Sequence, residues 1–549
     1  MSAQFKIKAA DPASVVRLER ELGLPRFIAA TLVARGIDNP AAVHRFLAPS
    51  LERDWLDPYI IPGLSDVADA LEAAVKRGDH ILVFGDFDLD GISATTVLTR
   101  GLRALGAQAT PFIPLRFEEG YALSQAAITR ACSFGPDFIV TVDCGIACKA
   151  EAAAVVEAGL GLAITDHHEP VDLVPEGVPV ADPKCDANCP SSILAGVGVA
   201  LKLVQVLGGR LGQPHLWRDF TDFATLGTVA DLMPMRDENR ALVSDGIARM
   251  NAAPRPCIAA LLATSGAADK PVSATNLSFS VIPRLNAAGR MGDAQLALDL
   301  LMTDDFEEAN RLATKLESVN DQRRAIEAEL SEIAKAQAAE IYHGQRALVV
   351  SGESWHEGVK GIVASRLVNT YGVPSLLFTI DGDEARGSGR SVGQVSLFSA
   401  VESASDLLTR FGGHDAAVGV TLPADKLPEF ERRLCAYMDA LPEGAFHPLV
   451  EIDSCVSLDE LTLDNVAQLD KLAPFGQEHP VPVYLARDVM LANCRAVGAE
   501  KNHFSCSLSD GRATVSGIMF HCSDIESLMR TDSVVNAAFE VQIDEWRGR

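Results

Sequence analysis

Short, continuous apolar runs alternate with stretches of helical periodicity through the first half of the chain. Such runs occupy residues 81–83, 110–114, 138–142, 162–165 and 178–181. Apolar runs of this length are typical of strands that are buried on both faces of a parallel sheet. The pattern therefore predicts an α/β region with a mostly parallel sheet, and the segment from Ile92 to Leu105 is predicted to be the first crossover helix.

A longer stretch of helical periodicity runs from residue 303 to residue 341 without a Gly or Pro. Thr303 or Asp304 is expected to cap its start, and His343 is expected to follow its end. One continuous helix of this length would be a rod of roughly 58 Å. Two helices with a break near Asn320 are the alternative.

The pattern changes again after this helix. Apolar runs at residues 346–351 and 375–380 predict a second α/β region. From about His447 onward, several short strands separated by turn residues predict a small barrel. That barrel has few aromatic side chains, chiefly Phe504, Phe520, Phe539 and Trp546, so its contribution to ligand binding is open.

Composition limits the class of protein. The 549 residues are 48% hydrophobic, and no apolar run reaches the roughly 18 residues that a membrane-spanning helix requires. The first twenty residues lack the apolar core of a signal peptide, and eleven cysteines, an odd number, fit a reducing compartment. We therefore expect a soluble cytoplasmic protein. A net charge of −26 argues against a surface that coats duplex DNA, although it leaves room for a local basic groove.

The first apolar run leads directly into a group of acidic residues. The sequence ILVFGDFDLDG places Asp86, Asp88 and Asp90 two residues apart at the carboxyl end of a strand. Open α/β sheets bind ligands at this edge, and clustered carboxylates need a cation to offset their repulsion. An EF-hand calcium loop is one alternative, but its twelfth position would be Val97 and not Glu. An aspartate-rich turn without a metal is another.

More candidate ligands follow the later apolar runs. They are Asp143, then Asp166, His167 and His168, and finally Asp231. Because the carboxyl ends of parallel strands lie on one edge, these side chains are expected to converge. Carboxylates with one or two imidazoles suit manganese or magnesium better than a metal that prefers thiolates.

Four motifs carry a family resemblance. GDFDLDG, VDCG, TDHH and GTVADLMP, in this order, resemble the motifs of the DHH phosphoesterase superfamily, and more specifically those of its single-strand exonuclease branch, the RecJ family. The similarity continues through RFEEGYALS, IPRLNAAGR, WHEGVKGIVASR, RGSGRS, FGGHDAAVG and APFGQEHPVP. It implies an α/β fold in which a parallel-sheet DHH domain is joined by a long helix to a smaller α/β DHHA1 domain, followed by an OB-fold β-barrel.

The same resemblance sets the expected domain limits. They are an N-terminal helical segment at 1–60, the DHH catalytic domain at 61–302, the connecting helix at 303–343, the DHHA1 substrate-binding domain at 344–445 and the OB-fold domain at 446–549. The chain stops three residues after Trp546, where relatives of this branch continue with a closing strand. The completeness of the barrel is therefore open.

The resemblance also implies roles for individual residues. Two divalent cations, Mn²⁺ or Mg²⁺, would be held by Asp86, Asp88, Asp90, Asp143, His167 and Asp231, with Asp86 and His168 as catalytic residues and Asp143 as the bridging ligand. Adjacent residues of an extended segment point to opposite sides. Only one of the two histidines is therefore expected to bind metal, and His168 is expected to orient or protonate the substrate, with a structural hydrogen bond as the alternative. The substrate-binding residues would be Arg116, Tyr121, Arg284, Asn286, Arg290, His356, Ser388, Arg390, Ser391, Gly413 and His414.

The implied function is 5′ to 3′ hydrolysis of single-stranded DNA to 5′-mononucleotides in recombination and mismatch repair. A single-strand-binding protein and a RecQ-type helicase are the implied partners of a monomeric enzyme. A DHH/DHHA1 phosphodiesterase of short oligonucleotides or cyclic dinucleotides is one alternative, which the length of the chain disfavours. A non-catalytic single-strand-binding scaffold is another, which the retained acidic and histidine ligands disfavour.

Overall fold

The computed structural model describes residues 4–522, 525–529 and 534–544, so that Trp546 lies outside the described part. The strands are β1 (Gln4–Ile7), β2 (His80–Phe84), β3 (Gln108–Phe112), β4 (Phe138–Thr141), β5 (Gly161–Thr165), β6 (Val180–Ala181), β7 (Leu348–Glu353), β8 (Ser375–Asp381), β9 (Glu384–Arg390), β10 (Arg410–His414), β11 (Ala417–Pro423), β12 (Leu449–Ile452), β13 (Ser454–Cys455), β14 (Val483–Val497), β15 (His503–Ser509), β16 (Thr514–Met519) and β17 (Val534–Glu540).

The α-helices lie between the strands singly and in longer series, of which the longest separates β6 from β7. They are α1 (Pro12–Leu22), α2 (Arg26–Ala34), α3 (Pro40–Leu47), α4 (Leu51–Asp54), α5 (Leu64–Arg77), α6 (Leu89–Ala104), α7 (Gln125–Cys132), α8 (Lys149–Glu157), α9 (Gly196–Arg210), α10 (Thr221–Ala230), α11 (Asp237–Ala252), α12 (Pro256–Thr264), α13 (Ala274–Asn276), α14 (Ile282–Arg290), α15 (Ala294–Met302), α16 (Phe306–Ile341), α17 (Lys360–Tyr371), α18 (Leu397–Glu402), α19 (Leu427–Asp439), α20 (Leu463–Ala467) and α21 (Ile525–Met529).

The first sheet has the strand order β3-β2-β4-β5-β6, and all its neighbouring strands are parallel. Alternate residues of β2 serve two different cores. Ile81 and Val83 pack into the core on one face, whereas Leu82 and Phe84 pack into the core on the other. Burial on both faces explains why the strand is a continuous apolar run, and it confirms the predicted parallel sheet.

The connecting helix α16 is continuous, as predicted, and Asn320 is buried within it. The cap prediction was wrong, because Asp305 accepts the Glu308 N–H at 2.7 Å. Thr303 does not reach the helix, since its hydroxyl accepts the Asp305 N–H at 3.1 Å. The first half of α16, including Leu316, packs into the core of the parallel-sheet domain. The second half, including Leu330, packs into a core formed with β7, β8 and α17.

The second sheet has the order β10-β11-β9-β8-β7, in which only the β7–β8 pair is parallel. Its strands β7 and β8 correspond to the apolar runs predicted at 346–351 and 375–380. The predicted class is therefore confirmed: a parallel-sheet α/β domain, a long helix and a smaller α/β domain. These parts lie in one compact unit, Pro49–Phe446 with Gly476–His479.

The second compact unit comprises the described residues of Met1–Ala48, His447–Phe475 and Pro480–Arg549. Its main sheet has the order β13-β14-β15-β16, with β17 paired to β14. The N-terminal segment belongs to this unit, because β1 pairs in parallel with β12 and the Arg35 guanidinium binds Asp453 at 2.8 Å. Phe27 packs edge-on against the buried Tyr484 ring at 5.3 Å. The two ends of the chain thus share one core.

Among the described residues, no helix combines the length and the apolar character needed to cross a membrane.

Candidate metal centre

The first acidic motif lies between the end of β2 and the first turn of α6. Asp88 is the N-cap of α6, and its carboxylate accepts the Gly91 N–H at 3.0 Å. Because of this cap, the helix begins at Leu89 and not at Ile92 as predicted. Asp90 is therefore buried inside the first helical turn, whereas Asp88 stays exposed.

The start of α9 holds the Asp90 carboxylate in place, and the last turn of α10 packs against it. Asp90 accepts the Gly196 N–H at 2.6 Å and the Val197 N–H at 3.0 Å at the start of α9. A Cβ atom on Gly196 would lie 2.5 Å from Asp143, and one on Gly227 would lie 2.6 Å from the Asp90 carboxylate. These two glycines therefore allow α9 and α10 to approach the acidic residues closely.

Residues from four separate elements converge on this position. Asp143 follows β4 in the left-handed conformation with φ 61°, His167 follows β5, and Asp231 ends α10. His167 Nε2 lies 3.0 Å from Asp143 Oδ1. The same nitrogen lies 3.7 Å from Asp90 Oδ2 and 3.7 Å from Asp231 Oδ2. The predicted convergence of the strand ends is therefore present in the structure.

The donor set fits divalent cations. Three groups have ligand atoms within 4.8 Å of one another: Asp86, Asp88 and Asp143; Asp90, His167 and Asp231; and Asp143, His167 and His168. The buried Asp86 Oδ1 and Asp143 Oδ1 atoms accept no hydrogen bond. A buried carboxylate oxygen without a donor is costly unless a cation satisfies it. Asp143 belongs to two of these groups, the one with Asp86 and Asp88 and the one with His167 and His168. A ligand that bridges two cations would occupy such a shared position.

The electrostatics also favour a cation. Burial, followed by the charges of neighbouring carboxylates, raises the pKa values of Asp86, Asp90 and Asp143 well above the ordinary range. The same causes raise the pKa of Asp231 to about 7. Burial and the charge of His168 lower the pKa of His167 to about 3. His167 is therefore a neutral imidazole, the form that binds metal ions.

His168 has a different environment from His167. Its Nδ1 lies 2.7 Å from Asp166 Oδ1, and Asp166 also accepts the Ile146 N–H at 2.9 Å. Burial opposes a charge on His168, but the hydrogen bond to Asp166 and the charge of Asp166 raise its pKa to about 9. His168, with 46% of its side chain exposed, is thus a cation at the edge of the metal centre. The positioning role of Asp166 was not predicted, although the spacing D-x-H after a strand is a signal for it.

Aromatic side chains and an arginine lie beside the metal centre. The Arg116 guanidinium lies 4.8 Å from the centre of the Phe87 ring, and its charge acts on Asp86. Tyr121 is 46% exposed, and its ring centre lies 6.1 Å from that of Phe87 and 6.4 Å from that of His168. Both predicted substrate residues, Arg116 and Tyr121, therefore adjoin the metal ligands.

Two further arginines complete a cluster of cations. Arg290, at the end of α14, donates to the Gly358 carbonyl at 3.2 Å. Burial, followed by the charges of Arg116 and Arg390, lowers its pKa to about 10. Arg390, at the end of β9, donates to the Ser388 hydroxyl at 3.3 Å and to the Gly389 carbonyl at 2.8 Å. Three neighbouring guanidinium groups are suited to an anion.

The other predicted substrate residues have varied surroundings. The Arg284 guanidinium binds Glu317 of α16 and the Ser280 carbonyl. Asn286 lies on α14 between Arg284 and Arg290. The ring centre of His356 lies 5.7 Å from that of Phe117, the Ser391 hydroxyl donates to the Val395 carbonyl at 2.6 Å, and Gly413 and His414 are exposed on β10.

Family models match three parts of the chain. The DHH family N-terminal domain matches residues 80–228, the DHHA1 domain matches residues 344–440, and the RecJ OB domain matches residues 452–549.

Several curated proteins are similar over most of the chain. The single-stranded-DNA-specific exonuclease RecJ of Bacillus subtilis is 33% identical over 551 residues, which cover 100% of this chain and 69% of the relative. The protein of the same name from Escherichia coli is 31% identical over 576 residues, covering 100% and 98% of the two chains. The crystal structure of RecJ in complex with Mn²⁺ from Thermus thermophilus superimposes with a TM-score of 0.85 at 30% identity, covering 100% of this chain and 78% of that one.

Proposed function

The chain belongs to the RecJ family of single-stranded-DNA-specific exonucleases, and we propose that it removes nucleotides one at a time from the 5′ end of the strand. It is a metal-dependent exonuclease that uses Mn²⁺ or Mg²⁺. The observation that supports the direction of attack is the cluster of Arg116, Arg290 and Arg390 beside the metal ligands. A terminal phosphate carries nearly two negative charges, whereas an internal phosphodiester carries one. Three guanidinium groups therefore suit a terminal phosphate, which we assign to the 5′ end of the strand.

The metal ligands divide into two sets in this proposal. Asp86, Asp88 and Asp143 would hold one cation, and Asp90, His167 and Asp231 would hold the other, with Asp143 shared between the two. Held there, the two cations would supply polarisation of the scissile phosphate, activation of water and stabilisation of the leaving oxygen. The 2.6 Å and 3.0 Å bonds from the start of α9 fix the orientation of Asp90 before any cation arrives.

His168 would act on the substrate and not on the metal. Asp166 binds Nδ1 of its ring and keeps the ring protonated, so that the Nε2–H would be the donor to the substrate. A charged donor there would bind a non-bridging oxygen of the scissile phosphate or supply a proton to the leaving 3′ oxygen.

Specificity for single strands would come from the aromatic side chains near the arginine cluster. Tyr121 and Phe117 are both partly exposed next to the metal centre. Unpaired bases can stack on such rings, whereas paired bases keep their faces within the duplex. Arg116 would then hold the phosphate of the nucleotide whose base is stacked.

The cellular setting is proposed from family resemblance alone. We place the enzyme in recombination and mismatch repair in the cytoplasm, as a monomer that works with a single-strand-binding protein and a RecQ-type helicase.

The direct test uses a long single-stranded DNA labelled at either end, a matching duplex and a dinucleotide, each incubated with the purified protein and Mn²⁺. We expect the 5′ label to appear first as a mononucleotide and the blunt duplex to stay intact. Release of the 3′ label first would reverse the proposed direction. Cleavage of the dinucleotide alone would place the chain among phosphodiesterases of short oligonucleotides, and binding without cleavage would indicate a scaffold.

A further inference from the structure

A lysine without an assigned role, Lys184, follows the strand next to β5, at the sheet edge that carries the metal ligands. Strand β6 pairs with β5 through Thr165 and Ala181, so that the turn after β6 starts beside the His167 segment. In that turn the buried Asp182 carboxylate accepts the Lys184 N–H at 2.7 Å. The backbone of Lys184 is therefore fixed at the same sheet edge as the metal ligands.

The charged end of Lys184 is available to a ligand. Its Nζ lies 3.1 Å from a carboxylate oxygen of Glu169, and the side chains are 25% and 70% exposed, respectively. Ion pairs with such exposed partners contribute little free energy, so exchanging Glu169 for another anion costs little.

The two ends of the metal centre therefore carry different cations. The Arg116 guanidinium lies 4.8 Å from the ring centre of Phe87, the residue next to Asp86, and its charge acts on Asp86. Lys184 instead follows β6, which pairs with the end of β5 just before His167, and its charge acts on His167 and Asp231. If the terminal phosphate is bound at the arginine end and the scissile phosphate at the metals, the rest of the strand leaves toward the Lys184 end.

We infer that the Lys184 ammonium group binds the first phosphate on the 3′ side of the scissile phosphate. This inference rests on the proposed function, because the direction of the strand across the metals follows from the proposed binding of its 5′-terminal phosphate by the arginine cluster. The contact aligns the strand across the metals, and it does not involve the terminal or the scissile phosphate.

Oligonucleotide length gives a direct test. A 5′-phosphorylated dinucleotide contains a terminal and a scissile phosphate only, whereas a 5′-phosphorylated trinucleotide adds the phosphate that Lys184 would bind. Both are measured as competitors of a labelled long strand, in Lys184→Met, Lys184→Arg and the unaltered protein. Lys149→Met is the matched control, since Lys149 forms a surface pair with Glu176 at 2.5 Å in the same domain.

In the unaltered protein the trinucleotide should compete about tenfold better than the dinucleotide, the scale of one hydrogen bond to a charged group. Lys184→Met should remove that difference and leave the inhibition constant of the dinucleotide unchanged. Lys184→Arg should retain most of the difference between the two competitors. The dependence of trinucleotide binding on salt should fall by about 0.7 in log–log slope in Lys184→Met. Lys149→Met should change neither constant.

Two results would overturn the inference. Equal weakening of both competitors by Lys184→Met would place the lysine at the scissile phosphate or the metals, and equal competition by both in the unaltered protein would show that the additional phosphate is not bound. A failure of the proposed function is distinguishable, because the unaltered protein would then not degrade the labelled long strand from its 5′ end.

Discussion

The candidate site has an acidic side, formed by the metal ligands, and a basic side, formed by the arginine cluster, and the two are built differently. Asp86, Asp90 and Asp143 are almost fully buried, and each lies at a strand end or in a first helical turn. Arg116 lies in a loop of the parallel-sheet domain, whereas Arg390 lies on strand β9 of the smaller α/β domain. Both arginines are partly exposed. The acidic side is therefore fixed by the core of one domain, whereas the basic side depends on two domains. We expect substitutions on the acidic side to abolish catalysis and substitutions on the basic side to change substrate preference.

The largest expected effect is that of Asp143→Asn. Asparagine tolerates the left-handed backbone of this position, so the fold should be kept. Loss of the shared carboxylate should lower kcat by about a thousandfold or more, the scale seen when a group that stabilises transition-state charge is removed. The metal-free variant should nevertheless melt at a higher temperature than the unaltered protein, because the mutual repulsion of the carboxylates is reduced. Mononucleotide release and a thermal melt with chelator measure the two effects, and a lower melting temperature would contradict the second.

On the basic side, Arg390→Ala should remove discrimination between 5′-phosphorylated and 5′-hydroxyl strands. We expect kcat/KM for the phosphorylated strand to fall about a hundredfold, and Arg390→Lys to recover only part of it because lysine lacks the planar fork. Arg386→Ala on the same strand is the matched control, since Arg386 is exposed and binds Glu384. If Arg390→Ala slowed both strands equally, the guanidinium would act on the scissile phosphate and not on the terminal one.

The contrast between the two sides also decides what could be predicted from sequence. The acidic side follows local rules, because an apolar run that ends in Asp places a carboxylate at the edge of a parallel sheet, as at Asp143. The helix start at Leu89 was missed, since the cap by Asp88 depends on a side-chain orientation that the pattern does not encode. The surroundings of Arg284 could not be predicted for a different reason. Its partner Glu317 is 33 residues away on α16, and their meeting depends on how two helices pack.

The pH dependence of stability should also separate the two sides. A carboxyl group whose folded pKa is raised stabilises the fold below its unfolded pKa of about 4, and this contribution is lost as pH rises through the folded value. For Asp231 the folded value is about 7. Most of this contribution is lost between pH 4 and pH 7, and the metal-free protein should lose the last part of it, about 1 kcal/mol of unfolding free energy, between pH 6.5 and pH 8.5. Saturating Mn²⁺ should reverse the trend, because cation binding strengthens as the ligands deprotonate. Denaturant melts at both pH values, with chelator and with Mn²⁺, measure this. An unchanged metal-free stability would indicate that these carboxylates are already ionised at pH 6.5.

The smallest expected effect concerns Arg284, which the family resemblance places at the substrate. Because its guanidinium is bound to Glu317 and to the Ser280 carbonyl, Arg284→Ala should cost about 1–3 kcal/mol of stability by leaving these acceptors unpaired. Its kcat/KM should change by less than about threefold, which corresponds to about 0.7 kcal/mol of free energy. Arg290→Ala on the same helix should do the opposite, weakening kcat/KM with little effect on the melt, since the charges of Arg116, Arg390 and Arg323 act against that of Arg290. Melts and kcat/KM of both variants, with Glu317→Gln added to close a double-mutant cycle, measure the difference. The opposing outcome is that Arg284→Ala loses activity as strongly as Arg290→Ala and keeps its stability. That outcome would show that Arg284 leaves Glu317 to bind DNA. The basic side of the site would then extend along α14.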